Sequence, residues 1–268
     1  MTTARGSSNK AKIARRVVEV LEFFDDNHPE ATVMDIVRRY DRPQSSTSEL
    51  LSSLVELGLL HKDPYSRSYR PTVRAALLGA TTQADMVRDG RLVRFMDRLA
   101  AQTGLSVILY GKIGLEAQIV NLRHGAQSPA WVKGNFFGGM KEALSRNAAG
   151  WLLLSTLGPD MLDGALRRLN AEAGEADKFN QREMHSRVTE AARSNIATGP
   201  AGFGSNGNMV ATLLPGSAQE DRLAVGIVLN RETAADPSLL AEYIEQAAES
   251  YLGAPPVSPP VQRLVTAA

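Results

Sequence analysis

The sequence predicts an α+β protein: an N-terminal winged helix-turn-helix, a linker helix, and a C-terminal antiparallel sheet with helices. Three observations lead to this fold class. Apolar residues recur at helical spacing three times within residues 13–57, and a short pair of extended segments follows them. A longer amphipathic segment spans residues 83–102. Beyond residue 103, apolar runs separated by glycine and polar turns are mixed with helical patterns, which favours an antiparallel sheet over repeated βαβ units.

The three N-terminal helices are delimited by residues that begin or end helices. The first runs through "IARRVVEVLEFF" (residues 13–24), and Pro29 lies in the break after it. Thr32 caps the second, "VMDIVRRY", with Asp35 at the third position after the cap. Pro43 suits the first turn of the third helix, and Gly58 is placed to end it.

The remaining domain boundaries follow from the next changes of pattern. The segment "LLHKDPYSRSYRPT" predicts a β-hairpin, and three helices followed by a hairpin form a winged helix-turn-helix. We therefore predict this domain over residues 1–80. A linker helix over residues 81–102, a second domain over residues 103–253 and a Pro-rich tail over residues 254–268 complete the chain.

The second domain is predicted to contain several strands and helices. Its strands are expected at "LSVILYG", "EAQIVNLRH", "SPAWVKG", "NMVATLLPG" and "DRLAVGIVLN". One helix is expected at "MKEALSRNAAGWLLLSTLG", and a polar helix at "NQREMHSRVTEAARSN". A last helix is expected at "SLLAEYIEQAAESYL".

Composition excludes several classes of protein. Of 268 residues, 43% are hydrophobic and 22% are charged, as in a globular protein, and the formal net charge of +1 means that contacts with nucleic acid would depend on local clusters of cations. The absence of cysteine excludes disulfides and thiolate chemistry. No secretory signal and no apolar run of about 18 residues is present. We expect a cytoplasmic protein that does not associate with membranes.

Small hydroxyl side chains at the start of the third helix, "QSSTS", have two readings. They favour helix N-termini in general, so they could simply cap a surface helix. In a helix-turn-helix, however, the tip of this helix enters the major groove, where such groups reach phosphates or base edges. Three clusters of lysine and arginine flank this tip, which favours the second reading. The predicted DNA-binding residues are Arg15, Arg16, Arg42, Gln44, Ser45, Ser46, Thr47, Ser48, Arg67 and Arg70.

Motifs for catalysis or cofactor binding are weak. The sequence "GFGSNG" (residues 202–207) matches G-x-G-x-x-G, but an apparent strand follows it rather than the helix that a dinucleotide site needs. The four histidines, at positions 28, 61, 124 and 185, have no metal-ligand spacing. No H-E-x-x-H, P-loop or G-x-S-x-G motif occurs. We predict no cofactor, no metal and no catalytic residue.

A ligand pocket is the more plausible use of the second domain. The segment "SPAWVKGNFFGGMKEALSRNAAG" combines aromatic residues with glycines and a following helix, and Arg146 is suited to hold a carboxylate. The aromatic residues could equally be core or oligomer contacts. The predicted ligand-binding residues are Trp131, Phe136, Phe137, Arg146, Asn147 and Asn206.

These patterns together resemble the IclR family of bacterial transcription regulators from about residue 13 to residue 252. The matching segments are "ARRVVEVLEFF", "TVMDIVRRYDRPQSSTSELLSSLVELGLLHKD" and "SRSYRPTVRAALLG", with weaker similarity at "TGLSVILY", "ALSRNAAGWLLLS" and "GPAGFGSNGNMVATLLPG". The resemblance implies a winged helix-turn-helix, a GAF-like effector domain, and a dimer or tetramer. Gln44 and Glu49 depart from the basic residues common in the family at these places.

The resemblance implies a ligand-responsive transcription regulator that binds operator DNA and a small organic acid or aromatic metabolite. Its expected partners are double-stranded operator DNA, the effector, and itself as homodimer or homotetramer. One alternative is a metabolite-converting enzyme whose winged helix is a protein-interaction module. Another is a regulator that has no ligand. Turnover by the second domain would favour the enzyme, and a missing cavity would favour the ligand-free regulator.

Overall fold

A computed structural model describes residues 9–25, 28–78, 85–215, 222–229 and 236–253. The chain divides into two compact units, Met1–Gln83 and Ala84–Ala268, which are described separately below. The predicted Pro-rich tail, residues 254–268, lies outside the described residues. The fold class is α+β, as the sequence predicts, with helices first and an antiparallel sheet afterwards.

The first unit is a winged helix-turn-helix. Its helices are α1 (Asn9–Phe23), α2 (Val33–Tyr40) and α3 (Gln44–Glu56), followed by the wing strands β1 (Leu60–Lys62) and β2 (Tyr69–Pro71) and the short α4 (Val73–Leu77). The wing is antiparallel, and Ala31 adds one bridge to Tyr69. Its core contains one or two apolar side chains from each main element: Val20, Ile36, Leu51, Leu54, Leu60 and Tyr69.

The start of α2 is fixed by the predicted capping box. The backbone amide of Asp35 donates to Thr32 Oγ1 at 3.4 Å, and the backbone amide and hydroxyl of Thr32 donate to Asp35 Oδ2 at 2.8 and 2.7 Å. These hydrogen bonds from Thr32 lower the pKa of Asp35. Since both partners of the box are satisfied, the first turn of α2 has its own local source of stability.

Thr32→Ala removes this cap and is expected to destabilise α2 by about 1 kcal/mol. The measurement is amide hydrogen exchange of Ile36, the buried residue of the helix. Ser52→Ala, at an exposed position of α3, is the control and should change exchange at Ile36 by less than about 0.5 kcal/mol. Equal protection of Ile36 in the Thr32→Ala protein and the wild type would contradict the role of the cap.

The second unit opens with two helices rather than one. Within the segment predicted as a linker helix, the described residues form α5 (Asp85–Arg88) and α6 (Arg91–Thr103). Gly90 separates them with a φ of +73°, a left-handed conformation that interrupts a helix. Helix α6 buries Phe95 and Leu99 in the core of the second unit.

A six-stranded antiparallel sheet forms the centre of the second unit. Its order is β5-β4-β3-β8-β7-β6. The strands are β3 (Ser106–Ile113), β4 (Glu116–Arg123), β5 (Lys141–Ala143), β6 (Ile196–Pro200), β7 (Asn208–Leu213) and β8 (Ala224–Leu229). Strand β3 is central and alternates its side chains between two cores: Val107 and Leu109 lie in one, and Ile108 and Tyr110 in the other.

Helices cover both faces of this sheet. On one face, α6 packs beside α11 (Pro237–Leu252). On the other face lie α8 (Ala148–Ser155), α9 (Pro159–Glu172) and α10 (Gln181–Ser194). Helix α8 is the innermost, because seven consecutive residues from Ala148 to Leu154 are buried. That degree of burial explains why its sequence is apolar on all sides.

Two predicted elements differ in the structure. "SPAWVKG" was expected to be a strand, but it contains the helix α7 (Ala130–Asn135), which begins directly after Pro129 and buries Val132. Proline presets the backbone for a helix start, and this outweighs the apolar pattern. The predicted single helix over "MKEALSRNAAGWLLLSTLG" begins instead with β5 and a 3-10 turn at Leu144–Arg146, because Lys141–Ala143 pairs with β4.

Candidate DNA-binding surface and effector site

The turn between α2 and α3 presents the N-terminus of α3 without a side-chain cap. Asp41 adopts a left-handed φ of +49° and ends α2, and the amide of Arg42 donates to Val37 O at 3.3 Å. Pro43 precedes the first turn of α3, where no side chain accepts a hydrogen bond from the backbone. The free amides and the helix dipole therefore favour an anion, such as a phosphate, at this tip.

One face of α3 is polar and open to solvent. Gln44, Ser45, Glu49 and Ser52 are exposed, and Ser48 is half-buried. These positions recur at the spacing of one helical face, opposite the buried Leu51 and Leu54. The short hydroxyl and amide side chains leave room for a nucleic-acid backbone, and their groups can donate to or accept from base edges.

Two hydroxyls of the "QSSTS" run are used within the protein. Thr47 is 1% exposed, and its Oγ1 donates to Pro43 O at 2.9 Å. We therefore leave Thr47 out of the proposed DNA contacts, since it faces the core in phase with Leu51 and Leu54. Ser46 Oγ donates to Pro43 O and accepts from Arg16 Nη2, both at 3.2 Å, and thereby connects α1 to α3.

The predicted cations of the first unit have different surroundings. Arg42 Nη2 lies 3.2 Å from both carboxylate oxygens of Glu19, and this pair connects the turn to α1. Its charge is therefore largely neutralised inside the domain. Arg15 is exposed on α1. It is better placed than Arg42 to neutralise a phosphate.

The wing presents two more predicted cations. Asp63 Oδ1 accepts from the amides of Tyr65 and Ser66 at 2.7 and 2.9 Å, and the hydrogen bonds from Ser66 and Tyr65 lower the pKa of Asp63. This turn leaves Arg67, which has a left-handed φ of +58°, and Arg70 exposed. The turn also exposes Tyr65 to 95%. Exposed cations beside an aromatic tip are suited to contact a DNA backbone.

An aromatic cluster lies in the second unit where β3, α7 and the turn before β7 meet. The rings of Trp131 and Phe136 have centroids 6.0 Å apart, and Phe136 meets Phe203 edge to face at 5.6 Å. Phe203 in turn stacks on Tyr110 at 6.3 Å. Tyr110 is fully buried, and its hydroxyl has no hydrogen-bond partner among the residues that the structure describes. A buried donor without a partner is costly, so this hydroxyl has an unused capacity to form a hydrogen bond.

Glu142 supplies a carboxylate beside this cluster. Its side chain is only 8% exposed. Oε1 accepts from Asn147 Nδ2 at 2.6 Å, and Oε2 accepts from the Phe203 amide at 2.7 Å. Burial raises the pKa of Glu142, and the two hydrogen bonds act in the opposite direction. Burial and the charge of Glu142 raise the pKa of Tyr110 well above its ordinary value, so Tyr110 stays a protonated donor.

Of the other predicted ligand residues, two already interact with groups of the protein, and two lie outside the aromatic cluster. Arg146 lies 3.8 Å from Glu142 and 3.1 Å from Asp177, so two carboxylates of the protein already surround the cation expected to hold a ligand carboxylate. Asn147 caps α8 by accepting from the Gly150 amide at 2.6 Å. Phe137, which is 56% exposed, and Asn206, also exposed, lie outside the aromatic cluster.

Three residues of this site were missing from the prediction: Tyr110, Glu142 and Phe203. They come from β3, β5 and the turn before β7, so only the folded chain brings them together. One signal was available in the sequence. Phe203 stands between two glycines in "GFG", and a bulky residue flanked by glycines indicates an unusual backbone.

Residues 14–64 match the family model for the IclR helix-turn-helix domain. This part of the first unit is an IclR-type helix-turn-helix domain. The resemblance to the IclR family that the sequence predicts is thereby confirmed. The match covers α2, α3 and β1, and therefore includes the exposed face of α3 described above. Among curated proteins, none matches the chain.

Solved structures share the IclR-type fold over nearly the whole chain. IclR of Thermotoga maritima is 19% identical, with a TM-score of 0.53, over 91% of this chain and 99% of that one. A putative transcriptional regulator of Rhodococcus sp. RHA1 is 17% identical, with a TM-score of 0.52, over 90% and 98%. An IclR homolog of Microbacterium hydrocarbonoxydans, solved with 4-hydroxybenzoate, has the same identity and TM-score, over 89% and 99%.

The described residues contain no group of three or more His, Asp or Glu side chains placed to hold a metal ion. No helix among them is both long enough and apolar enough to cross a membrane.

Proposed function

We propose that this protein is a transcription regulator whose first unit binds operator DNA and whose second unit binds a small organic acid or aromatic metabolite. The observation that carries the proposal is the exposed hydroxyl and amide face of α3, which starts without a side-chain cap in an IclR-type domain. In such a domain this helix enters the major groove. Gln44, Ser45 and Ser48 are the side chains proposed to read it.

Affinity is proposed to come from exposed cations around that face. Arg15, Arg67 and Arg70 are the proposed phosphate contacts. Each phosphate neutralised contributes a slope of about 0.9 in log affinity against log salt concentration. As a dimer or tetramer, the protein would place two such heads on half-sites roughly 34–36 Å apart, so its operator would be an inverted repeat.

A small-molecule effector is proposed to bind at the aromatic cluster of the second unit and thereby to change the affinity for operator DNA. A protein of the same fold was solved with 4-hydroxybenzoate, which supports an aromatic or acidic ligand here. Binding would change operator affinity by a coupling free energy of about 1–3 kcal/mol, by favouring one arrangement of the DNA-binding heads.

The test is selection of fragments from sheared genomic DNA by the purified full-length protein at near-physiological salt. We expect enrichment of one or a few inverted repeats, with affinity that falls as salt rises. The Arg67→Ala protein should bind the selected fragment with a salt slope lower by about one unit. Recovery of unselected DNA, without any enriched site, would contradict the proposal.

An enzyme is the alternative function, and turnover of a metabolite by the protein would favour it. A serine–histidine contact is present, with Ser106 Oγ 3.1 Å from His124 Nδ1, and such a pair can activate a nucleophile. Ser106 is fully buried, however, and its Oγ donates to Ser128 Oγ at 2.7 Å. A substrate therefore has no access to it, and the geometry favours the regulator.

A further inference from the structure

The backbone around Phe203 holds a large side chain in a conformation that such residues rarely adopt. Gly202, Phe203 and Gly204 have successive φ values of +79°, +54° and +70°. The left-handed region is open to glycine but unfavourable for bulky residues. Position 203 nevertheless carries phenylalanine. The contacts of its ring with the surrounding side chains therefore offset the cost of the left-handed backbone conformation.

The ring of Phe203 is held by aromatic neighbours. It stacks on Tyr110, meets Phe136 edge to face, and packs against the hydrophobic core that includes α8. Its amide donates to Glu142 Oε2, so backbone and ring are held by the same site. With a glycine on each side, this short turn can change conformation without moving the strands that flank it.

The polar groups around that ring determine which ligands fit. Tyr110 offers a hydroxyl without a partner, and Glu142 offers a buried carboxylate. Arg146 lies between Glu142 and Asp177. These three side chains together consist of one cation and two anions. A ligand carboxylate would therefore meet excess negative charge, whereas a ligand hydroxyl can accept from Tyr110 and donate to Glu142.

We infer that Phe203 is an internal occupant of the effector site, and that the effector is a hydroxylated aromatic molecule without a carboxylate, whose ring takes the place of the Phe203 ring. This inference rests on the proposed function and narrows its ligand class. The turn then has two arrangements, one with the ring of Phe203 inside and one with the ring of the ligand inside. Because the protein's own ring competes, the apparent affinity of the ligand is reduced by the fraction of molecules that hold Phe203 inside.

The experiment measures phenol and benzoate binding to the full-length protein by calorimetry, for the wild type, Phe203→Ala and Phe203→Gly. Removal of the ring leaves an apolar space, and such spaces accept small aromatic molecules. We expect both variants to bind phenol on the order of 10-fold more tightly than the wild type, because the competing ring is gone. Benzoate should bind them on the order of 10-fold more weakly than phenol, because of the charge of Glu142.

Phe137→Ala is the matched control, since it removes an identical ring from an exposed position outside the cluster. It should bind phenol as the wild type does. The Phe203→Gly protein keeps the test valid if the Phe203→Ala protein does not fold, because glycine readily adopts the observed φ. Phenol affinity that is equal in all four proteins, or higher for Phe137→Ala as well, would overturn the inference. A preference for benzoate would overturn the ligand class.

These results are separable from the proposed regulatory function. If the wild type selects an operator but the Phe203 variants bind phenol no better than it does, the inference fails and the regulator stands. If the variants bind phenol as expected but no operator is selected, the aromatic site stands and the regulatory role fails.

Discussion

Replacing Ser45 with glutamate is expected to lower operator affinity on the order of 100-fold, because a carboxylate at the tip of α3 opposes the DNA phosphates and like charges brought together cost several kcal/mol. Ser45 is exposed at the second position of α3 and makes no side-chain cap there. The measurement is affinity for the selected genomic fragment at one fixed salt concentration, since affinities at different salt are not comparable.

The folded state should tolerate this change. A carboxylate in the first turn of a helix gains about 0.3–1 kcal/mol from the helix dipole. The exposed Glu49, four residues later, repels it by about 0.2–0.5 kcal/mol. Because these effects are small and oppose each other, the thermal unfolding temperature is expected to change little. Loss of DNA binding together with loss of folding would instead indicate that Ser45 is a structural residue.

Ser238 provides a closely matched control. It is exposed at the second position of α11, as Ser45 is in α3, but it belongs to the second unit. Ser238→Glu therefore makes the same change in net charge at the same position of a helix. It should leave operator affinity within about two-fold of the wild type, because it lies outside the unit that is proposed to contact the DNA. Equal losses for both variants would mean that total charge, not the tip of α3, sets the affinity.

The elements that sequence reasoning predicts well are those with local signals. Helix α2 runs from Val33 to Tyr40, as predicted, because Thr32 and Asp35 form its capping box within four residues of chain. The inward position of Thr47 also had a local signal. Thr47, Leu51 and Leu54 are spaced by four and three residues, so the apolar stripe of α3 includes Thr47.

Other elements depend on contacts that are distant in sequence. Strand β5 exists because Lys141–Ala143 pairs with Glu116–Gln118 of β4, and nothing within "MKEALS" itself indicates that pairing. The proposed effector site has the same limitation. Phe203 and Glu142 are 61 residues apart in sequence, and only the folded chain brings them into hydrogen-bonding contact. The aromatic residues were recognisable as candidates, but the carboxylate that is proposed to select the ligand was not.

Gly202→Ala is expected to destabilise the second unit by about 3 kcal/mol or more, from two additive causes. The left-handed φ of +79° costs an L-residue roughly 1–2 kcal/mol. In addition, an added Cβ would overlap with Glu142 Oε1, so the carboxylate must move. Movement breaks its hydrogen bonds from Asn147 and from the Phe203 amide, and bonds to charged groups contribute about 1.5–3 kcal/mol each.

Gly204→Ala separates these two causes. Gly204 has a similar φ of +70°, but an added Cβ would have no neighbour within 4 Å. Its cost should therefore be the backbone term alone, about 1–2 kcal/mol. Urea unfolding followed by tryptophan fluorescence measures both variants, because the chain has two tryptophans, Trp131 and Trp151, and both lie in the second unit.

Glu142→Ala in the Gly202→Ala background completes the test as a double-mutant cycle. If the clash with Glu142 is the larger cause, the two changes together should cost less than the sum of their separate effects, by about 1–3 kcal/mol. Gly202 is then glycine because Glu142 must approach the backbone closely to accept from Phe203. Equal costs for Gly202→Ala and Gly204→Ala, with additive effects in the cycle, would show that the backbone conformation alone requires glycine and that Glu142 does not hold the turn closed.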